Sequence, residues 1–167
     1  MEPMDGASPP CGSDEAFMRE ALREAEIAAS EGEVPVGCVI VRDGEIIARE
    51  HNRREQLSDP TAHAEILALR AAGRAVGSWR LVGCVCYATL EPCCMCAGAL
   101  SQARAARVVF GVPDPKSGGC GSIFDIAREQ RLNHRLEVTP GILADECLGV
   151  LRTFFLMRRP AADADNG

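Results

Sequence analysis

The sequence predicts an α/β protein, a three-layer α/β/α domain built on a central five-stranded mixed sheet. Strand-like apolar runs alternate with stretches of helical periodicity along most of the chain, the pattern of helices packed on both faces of a sheet. Two runs near the start are joined by Asp43-Gly44, a two-residue hairpin signal that makes this pair antiparallel within an otherwise alternating order. At 167 residues, 47% hydrophobic and 25% charged, the chain is long enough to bury one core and short enough to be one domain.

Ser13 is placed to cap a first helix in which Phe17, Ala21, Leu22, Ala25 and Ala28 recur at helical spacing, with Asp14 and Glu15 near its positive end. This helix runs to Ser30 and stops at Gly32. Val36–Val41 and Glu45–Glu50 are the hairpin strands, and Asn52 falls just past the second. Pro60-Thr61 opens a second helix, Ala62–Ala72, ended near Gly73, with His63 and Glu65 in its first turn. Arg80–Thr89, rich in valine and cysteine, is a third strand buried on both faces. Leu90-Glu91-Pro92 breaks it and launches a helix over Cys93–Gln102. Arg107–Gly111 is a short strand, and Val112–Ser122, rich in proline and glycine, is a loop of the kind that carries function. A short helix over Ile123–Glu129, a strand at Arg135–Thr139 and a helix over Leu143–Arg158 complete the order. Met1–Gly12 and Pro160–Gly167 read as disordered tails around a single domain, residues 13–159.

Composition narrows the function classes. No apolar run reaches the roughly 18 residues of a membrane span, and the start of the chain carries Glu2 and Asp5 where a signal peptide needs basic and apolar regions. A cytoplasmic protein is expected. Nine cysteines, an odd number scattered from Cys11 to Cys147, fit reduced thiols better than a disulfide framework, so metal binding or burial must account for them. The net charge of −6 and pI near 5.1 argue against a protein that coats nucleic acid nonspecifically. Local RNA contact stays open, because all the basic side chains except Lys116 are arginines, which suit bidentate phosphate contact and base stacking.

The chemistry lies in His63-Ala64-Glu65 and Pro92-Cys93-Cys94-Met95-Cys96. His63, Cys93 and Cys96 supply three zinc ligands, and a three-ligand shell leaves the fourth position to water, whereas a structural zinc closes its shell with four protein ligands. Cys93 and Cys96, three residues apart at a helix start, share a face on which the helix dipole favours thiolates. Two thiolates and a neutral imidazole cancel the charge of one Zn²⁺, which still lowers the pKa of bound water towards about 7. Glu65 follows His63 by two residues, about 200° round a helix, so it is free to face substrate and carry protons. Taken alone, Cys-x-x-Cys also occurs in structural zinc knuckles and redox pairs, and His-x-Glu on a helix usually means nothing. Together, each opening its own helix, they describe a hydrolytic metal site. Cys38, Cys84, Cys86 and Cys147 read as small buried hydrophobes, Cys11 and Cys120 as members of flexible segments, and His51 and His134 as structural or surface histidines.

Three stretches, Asp59-Pro60-Thr61-Ala62-His63-Ala64-Glu65, Thr89-Leu90-Glu91-Pro92-Cys93-Cys94-Met95-Cys96-Ala97-Gly98-Ala99 and Asn133-His134-Arg135, resemble bacterial tRNA-specific adenosine deaminases of the cytidine/deoxycytidylate deaminase-like zinc superfamily. The resemblance runs from about Glu15 to Arg159. It takes in Val34-Pro35-Val36-Gly37, Val108-Val109-Phe110-Gly111, Gly141-Ile142-Leu143-Ala144-Asp145-Glu146-Cys147, Phe154-Phe155 and Met157-Arg158-Arg159. It implies a cytidine-deaminase-like fold, one Zn²⁺ per subunit, a homodimer, and conversion of adenosine to inosine at the wobble position of a tRNA anticodon, that of an arginine tRNA. Activated water would attack C6 of the adenine while Glu65 moves protons to N1 and to the departing amino group.

The resemblance also assigns Asn52 and the Ala64 backbone to the flipped base, Asp114 and Lys116 to the anticodon backbone, and Phe155, Arg158 and Arg159 to RNA contact near the C-terminus. Each has a plainer reading: Asn52 as a turn residue, Asp114 and Lys116 as solvated loop residues, and Phe154-Phe155 as an anchor of the last helix in the core. The chain departs from the family pattern at Pro113, Pro115 and Gly119-Cys120, inside the substrate loop. Two other functions compete with tRNA deamination. One is deamination of a free nucleobase, nucleoside or nucleotide of guanine or cytidine type. The other is a non-catalytic, zinc-stabilised RNA-binding protein, which would have no use for Glu65.

Overall fold

The computed structural model describes residues 12–158. Expectations for Met1–Cys11, for Arg159 and for the C-terminal tail lie outside the described residues. The element order is α1 (Asp14–Ser30), β1 (Gly37–Arg42), β2 (Glu45–His51), α2 (Ala64–Val76), β3 (Val85–Leu90), α3 (Cys94–Gln102), β4 (Arg107–Val112), β5 (Glu137–Thr139) and α4 (Ala144–Arg158). The strands form one mixed sheet in the order β2-β1-β3-β4-β5. β1 pairs antiparallel with both β2 and β3, while β3–β4 and β4–β5 are parallel.

Three layers follow from the side chains. Central strands that alternate faces while staying apolar throughout must be covered on both sides. Cys38, Ile40, Cys86, Ala88, Val108 and Phe110 face α2 and α3, in a core with Ala68, Ala72, Ala97 and Leu100. Val39, Val41, Tyr87 and Val109 face α1 and α4, where they meet Phe17, Met18, Ala21, Leu22 and Cys147. The cysteines expected as small hydrophobes, Cys38, Cys84, Cys86 and Cys147, are all buried. α1 begins where expected, with the Ser13 hydroxyl accepting from the Ala16 amide at 3.1 Å. Asp43 and Gly44 both take positive φ, 51° and 78°, as the predicted tight hairpin requires.

Several boundaries differ from the sequence reading. α2 passes through Gly73 and ends at Gly77, whose φ of 68° is the left-handed cap. A single helix-interior glycine costs only about 1 kcal/mol, and packing of Val76 beyond it outweighs that. β3 starts at Val85, not Arg80, because Leu81 to Cys84 form a turn, with the Cys84 amide returning to the Leu81 carbonyl and Gly83 at φ 79°. β5 is confined to Glu137–Thr139. The helix expected over Ile123–Glu129 is absent. The Ile123 and Phe124 amides bond to the Gly118 carbonyl and the Ile126 amide to that of Gly119, so these donors serve loop closure and not a helical ladder.

Candidate active site

The site forms where two helices begin on one side of the sheet. His63 and Cys93 are not inside the first turns of α2 and α3 but are their N-caps, both with extended backbone. Neither side chain caps its own helix. They turn towards each other. His63 Nδ1 lies 3.6 Å from Cys93 Sγ and 3.5 Å from Cys96 Sγ. The approach to His63 is fixed by Asp59, whose carboxylate accepts from the Thr61 amide at 2.8 Å and the Thr61 hydroxyl at 2.7 Å. These two hydrogen bonds hold the Asp59 carboxyl below its ordinary range. The Arg53 amide closes the segment from the other side by donating to the Ala62 carbonyl.

The donor set fits zinc. With Zn–S of about 2.3 Å and Zn–N of about 2.0–2.1 Å, the sulfur-to-nitrogen edge of a tetrahedron is about 3.6 Å, and the two measured edges are 3.5 and 3.6 Å. All three donor atoms lie within 4.8 Å of one another. The charge pattern agrees with the spacing. Cys93 is pushed down to about 4, first by the hydrogen bond from Cys96 and then by that with His63. Cys96 is pushed far up, because it holds the proton shared with Cys93 and is deeply buried. One thiolate forms readily in this setting; a second needs a cation beside it.

Glu65 is 3% exposed, with its carboxyl 3.5 Å from Cys96 Sγ. Burial raises its pKa above the ordinary carboxylate value, against the opposing pull of its own backbone amide and of His63. A carboxyl that keeps its proton easily and sits beside the metal ligands is equipped to give and take protons.

His63, Glu65 and Cys93 line a cavity of about 140 Å³ walled by Val34, Val36, Leu90 and Glu91, with Arg54, Asp114 and Ser117 at its rim. That is below the range of drug-sized ligand pockets and suits one flat heterocycle. Of the residues assigned by resemblance, Ala64 and Asp114 line the cavity. Asn52 is buried and bridges two wall segments: its side-chain amide donates to the Val34 carbonyl at 3.2 Å, and its side-chain oxygen accepts from the Arg54 amide at 3.2 Å. Lys116 is exposed beside Asp114, and its amide donates to the Asp114 carboxylate at 3.0 Å. On α4, Phe154 is 8% exposed and Phe155 51% exposed, so the first anchors the helix and the second faces outward. Arg158 donates to the Gly32 carbonyl at 2.6 Å and lies over the Phe154 ring. The structure thus gathers His63, Cys93, Glu65, Ala64 and Asp114 in one cavity, with Cys96 buried behind it within metal-sharing distance of His63 and Cys93, while Asn52, Lys116, Phe155 and Arg158 stand outside the lining.

Cys120 is not in a flexible segment but buried, its amide donating to the Glu91 carboxylate at 3.1 Å. His51 lies between the carboxylates of Glu24 and Glu31, at 2.8 Å from each, and His134 bonds to the Ala105 carbonyl, so both are structural. Sequence reasoning missed Glu91, Arg54 and Ser117. For Glu91 a signal existed: a charged residue closes a strand otherwise read as buried on both faces, and such a residue must find partners.

A mixed five-stranded sheet with a His-Cys-Cys donor set at two helix starts and a buried glutamate beside it defines a zinc-dependent hydrolytic deaminase. Residues 12–112 match the cytidine and deoxycytidylate deaminase zinc-binding region, and the chain belongs to that family. It is 51% identical over 142 residues to a tRNA-specific adenosine deaminase of Bacillus subtilis (strain 168), covering 85% of this chain and 88% of the relative. A tRNA-specific adenosine deaminase of Haemophilus influenzae is 48% identical over 157 residues, covering 93% of this chain and 91% of the relative. Among solved structures, one from work on A-to-I editing by tRNA:A34 deaminases at the wobble position of transfer RNA superposes with a TM-score of 0.78 at 44% identity. It covers 81% of this chain and 98% of that chain.

Proposed function

We propose that this enzyme converts adenosine to inosine at the wobble position of a tRNA anticodon, in an arginine tRNA, with release of ammonia. The observation that carries the reading is the meeting of His63, Cys93 and Cys96 at edges of tetrahedral zinc size with the Glu65 carboxyl beside them. The tRNA-deaminating relatives, at 51% and 48% identity over most of the chain, support the substrate. When bound by these three ligands, zinc supplies a nucleophile at neutral pH by lowering the pKa of coordinated water towards about 7. Glu65 takes one proton from the attacking water and places it on adenine N1, and carries the second to the amino group on C6. The C6–N bond breaks as the C6 carbonyl forms, so adenosine and water give inosine and ammonia.

In this reading the Val34, Val36 and Leu90 walls exclude bulk water, and Ala64 and Asn52 hold the flipped base. Asp114, Lys116, Phe155 and Arg158 meet the anticodon around it, and residues 13–159 act as a single domain. We place the enzyme with its substrate in the cytoplasm. The eight cysteines among the described residues are all free thiols, and no described helix is long and apolar enough to cross a membrane.

An anticodon stem-loop carrying wobble adenosine, assayed beside free guanine, cytidine and adenosine, tests the reading. Inosine in the stem-loop alone is expected. Preferential turnover of a free base or nucleoside would replace this function with another deamination. Stoichiometric zinc and tight RNA binding without ammonia release would replace it with a scaffold.

A further inference from the structure

The Val112–Ser122 segment contains two prolines and four glycines counting Gly111, yet it has a defined shape. Its backbone donors account for that. The Lys116 and Ser117 amides turn onto the Asp114 carboxylate, at 3.0 and 3.3 Å, and the Gly118 amide donates to the Asp114 carbonyl at 2.9 Å. The inward half of the loop closes on a different group. Glu91 Oε1 accepts from the Asp114 amide at 3.1 Å, and Oε2 accepts from the amides of Cys120 at 3.1 Å and Ser122 at 3.2 Å. The Ser122 hydroxyl donates to the same carboxylate. Glu91 is 2% exposed, so these loop donors stand in for its water.

The packing around this carboxylate leaves no slack. A Cβ on Gly118 would overlap the Glu91 carboxylate, and a Cβ on Gly119 would come within 2.8 Å of the Cys93 and Cys94 backbone. The Gly119 amide donates to the Pro92 carbonyl at 2.8 Å, and Cys93 and Gly118 form an isolated bridge. The loop is therefore seated backbone to backbone on the segment that carries a metal ligand. Asp114 and Ser117, at the cavity rim, belong to it.

We propose that Glu91 is a positioning residue for the substrate. It makes no proton transfer; its carboxylate is the template on which the 114–122 loop folds, and through it Asp114 and Ser117 are held at the mouth of the cavity. A glutamine in its place, of equal size, presents one oxygen, and its NH₂ would face an amide donor. The loop would then lose its inward closure while His63, Cys93, Cys96 and Glu65 keep their own contacts.

The kinetic arm of the test rests on the proposed tRNA substrate; the exchange arm does not. In Glu91→Gln, amide hydrogen exchange at Asp114, Cys120 and Ser122 is expected to accelerate by about tenfold or more, the scale of one lost charge-assisted hydrogen bond, with zinc content at the wild-type ratio. KM for the anticodon stem-loop is expected to rise about tenfold with kcat nearly unchanged. Unchanged exchange, or a fall in kcat and zinc content at constant KM, overturns the inference. If wild type fails on the stem-loop while Glu91→Gln still accelerates exchange, the substrate reading fails and the template role stands. Should Glu91→Gln not fold, Ser122→Ala, which spares the carboxylate and its backbone donors, carries the test. Faster loop exchange with a raised KM supports the role, and wild-type values for both refute it.

Discussion

Glu65 and Glu91 are both buried glutamates lining the cavity that holds His63 and Cys93, and their hydrogen-bond partners assign them opposite duties. Glu91 is saturated by donors from one loop, which makes it a good anchor and a poor proton carrier. Among the described residues Glu65 has one side-chain hydrogen-bond partner, Cys96, and its burial favours the protonated form. Glu65→Gln keeps the volume and removes the group that can take up and release a proton. Loss of proton transfer alone lowers rates by about 10²–10⁴-fold, so turnover of the stem-loop should fall at least that far while zinc content, by metal analysis, stays at the wild-type ratio. A variant retaining a tenth of wild-type activity would remove Glu65 from the mechanism. Glu65 was legible as functional in the sequence because His-x-Glu is a local pattern, whereas the charge of Glu91 at the end of a buried strand signals only a need for partners, which lie more than twenty residues further along the chain.

At the scale of elements, α1 is tied to the sheet by its first residue. The Asp14 carboxylate accepts from both terminal nitrogens of Arg107 on β4, at 3.0 and 2.8 Å, and from the Tyr87 hydroxyl on β3 at 2.7 Å. The Arg107 hydrogen bonds, with help from Tyr87, hold Asp14 below its ordinary value. A carboxylate more acidic in the folded state contributes stability that is fully present above the unfolded value, near 4, and is lost as pH falls through the lower folded value. Asp14→Asn should therefore cost about 1–2 kcal/mol at pH 7, several degrees of Tm, and less as the pH is lowered through that window. Thermal melts of both proteins at pH 7 and pH 3 check this, and a gap that widens in acid would contradict it.

The elements themselves were largely legible. Ser13 capping, the Asp43-Gly44 hairpin and the alternation of β1, β3 and β4 are encoded within a few residues of where they act. The misplaced features, α2 running past Gly73 and the absent helix at Ile123–Glu129, were decided by tertiary contacts: packing of Val76 in one case, and amides committed to Gly118 and Gly119 in the other. In the site, local pattern pointed to the His63, Cys93 and Cys96 donor set that the fold brings together, but the pairing of Asn52 with Val34 and Arg54 depends on how the β1 and β2 ends meet.

The whole molecule carries a net charge of −6, so RNA affinity must come from a few well-placed cations and not from a diffuse field. If Arg54, Lys116 and Arg158 make about three phosphate contacts, binding of a single-stranded loop should weaken about 20-fold between 50 and 200 mM salt. A slope of the size expected for 6–10 contacts, measured by filter binding, would point to a much broader basic surface. We also propose a homodimer, as the family resemblance implies: sedimentation is expected to give twice the 17.8 kDa chain mass, and a wild-type monomer at micromolar concentration would refute the dimer.

The parallel register of β3 and β4 sets Leu90 opposite Val112, so the chain leaves the sheet at Glu91 and at Pro113 side by side. Just beyond those two exits, residues 91–93 and 114–122 are laced together. For anyone grafting a new specificity onto this scaffold, the natural cassette is therefore two discontinuous pieces, residues 91–96 and 113–122, exchanged as one. Swapping the second alone would remove the Gly118 and Gly119 clearances and seat a guest loop on a Glu91 carboxylate and a Cys93–Cys94 backbone it was not shaped for.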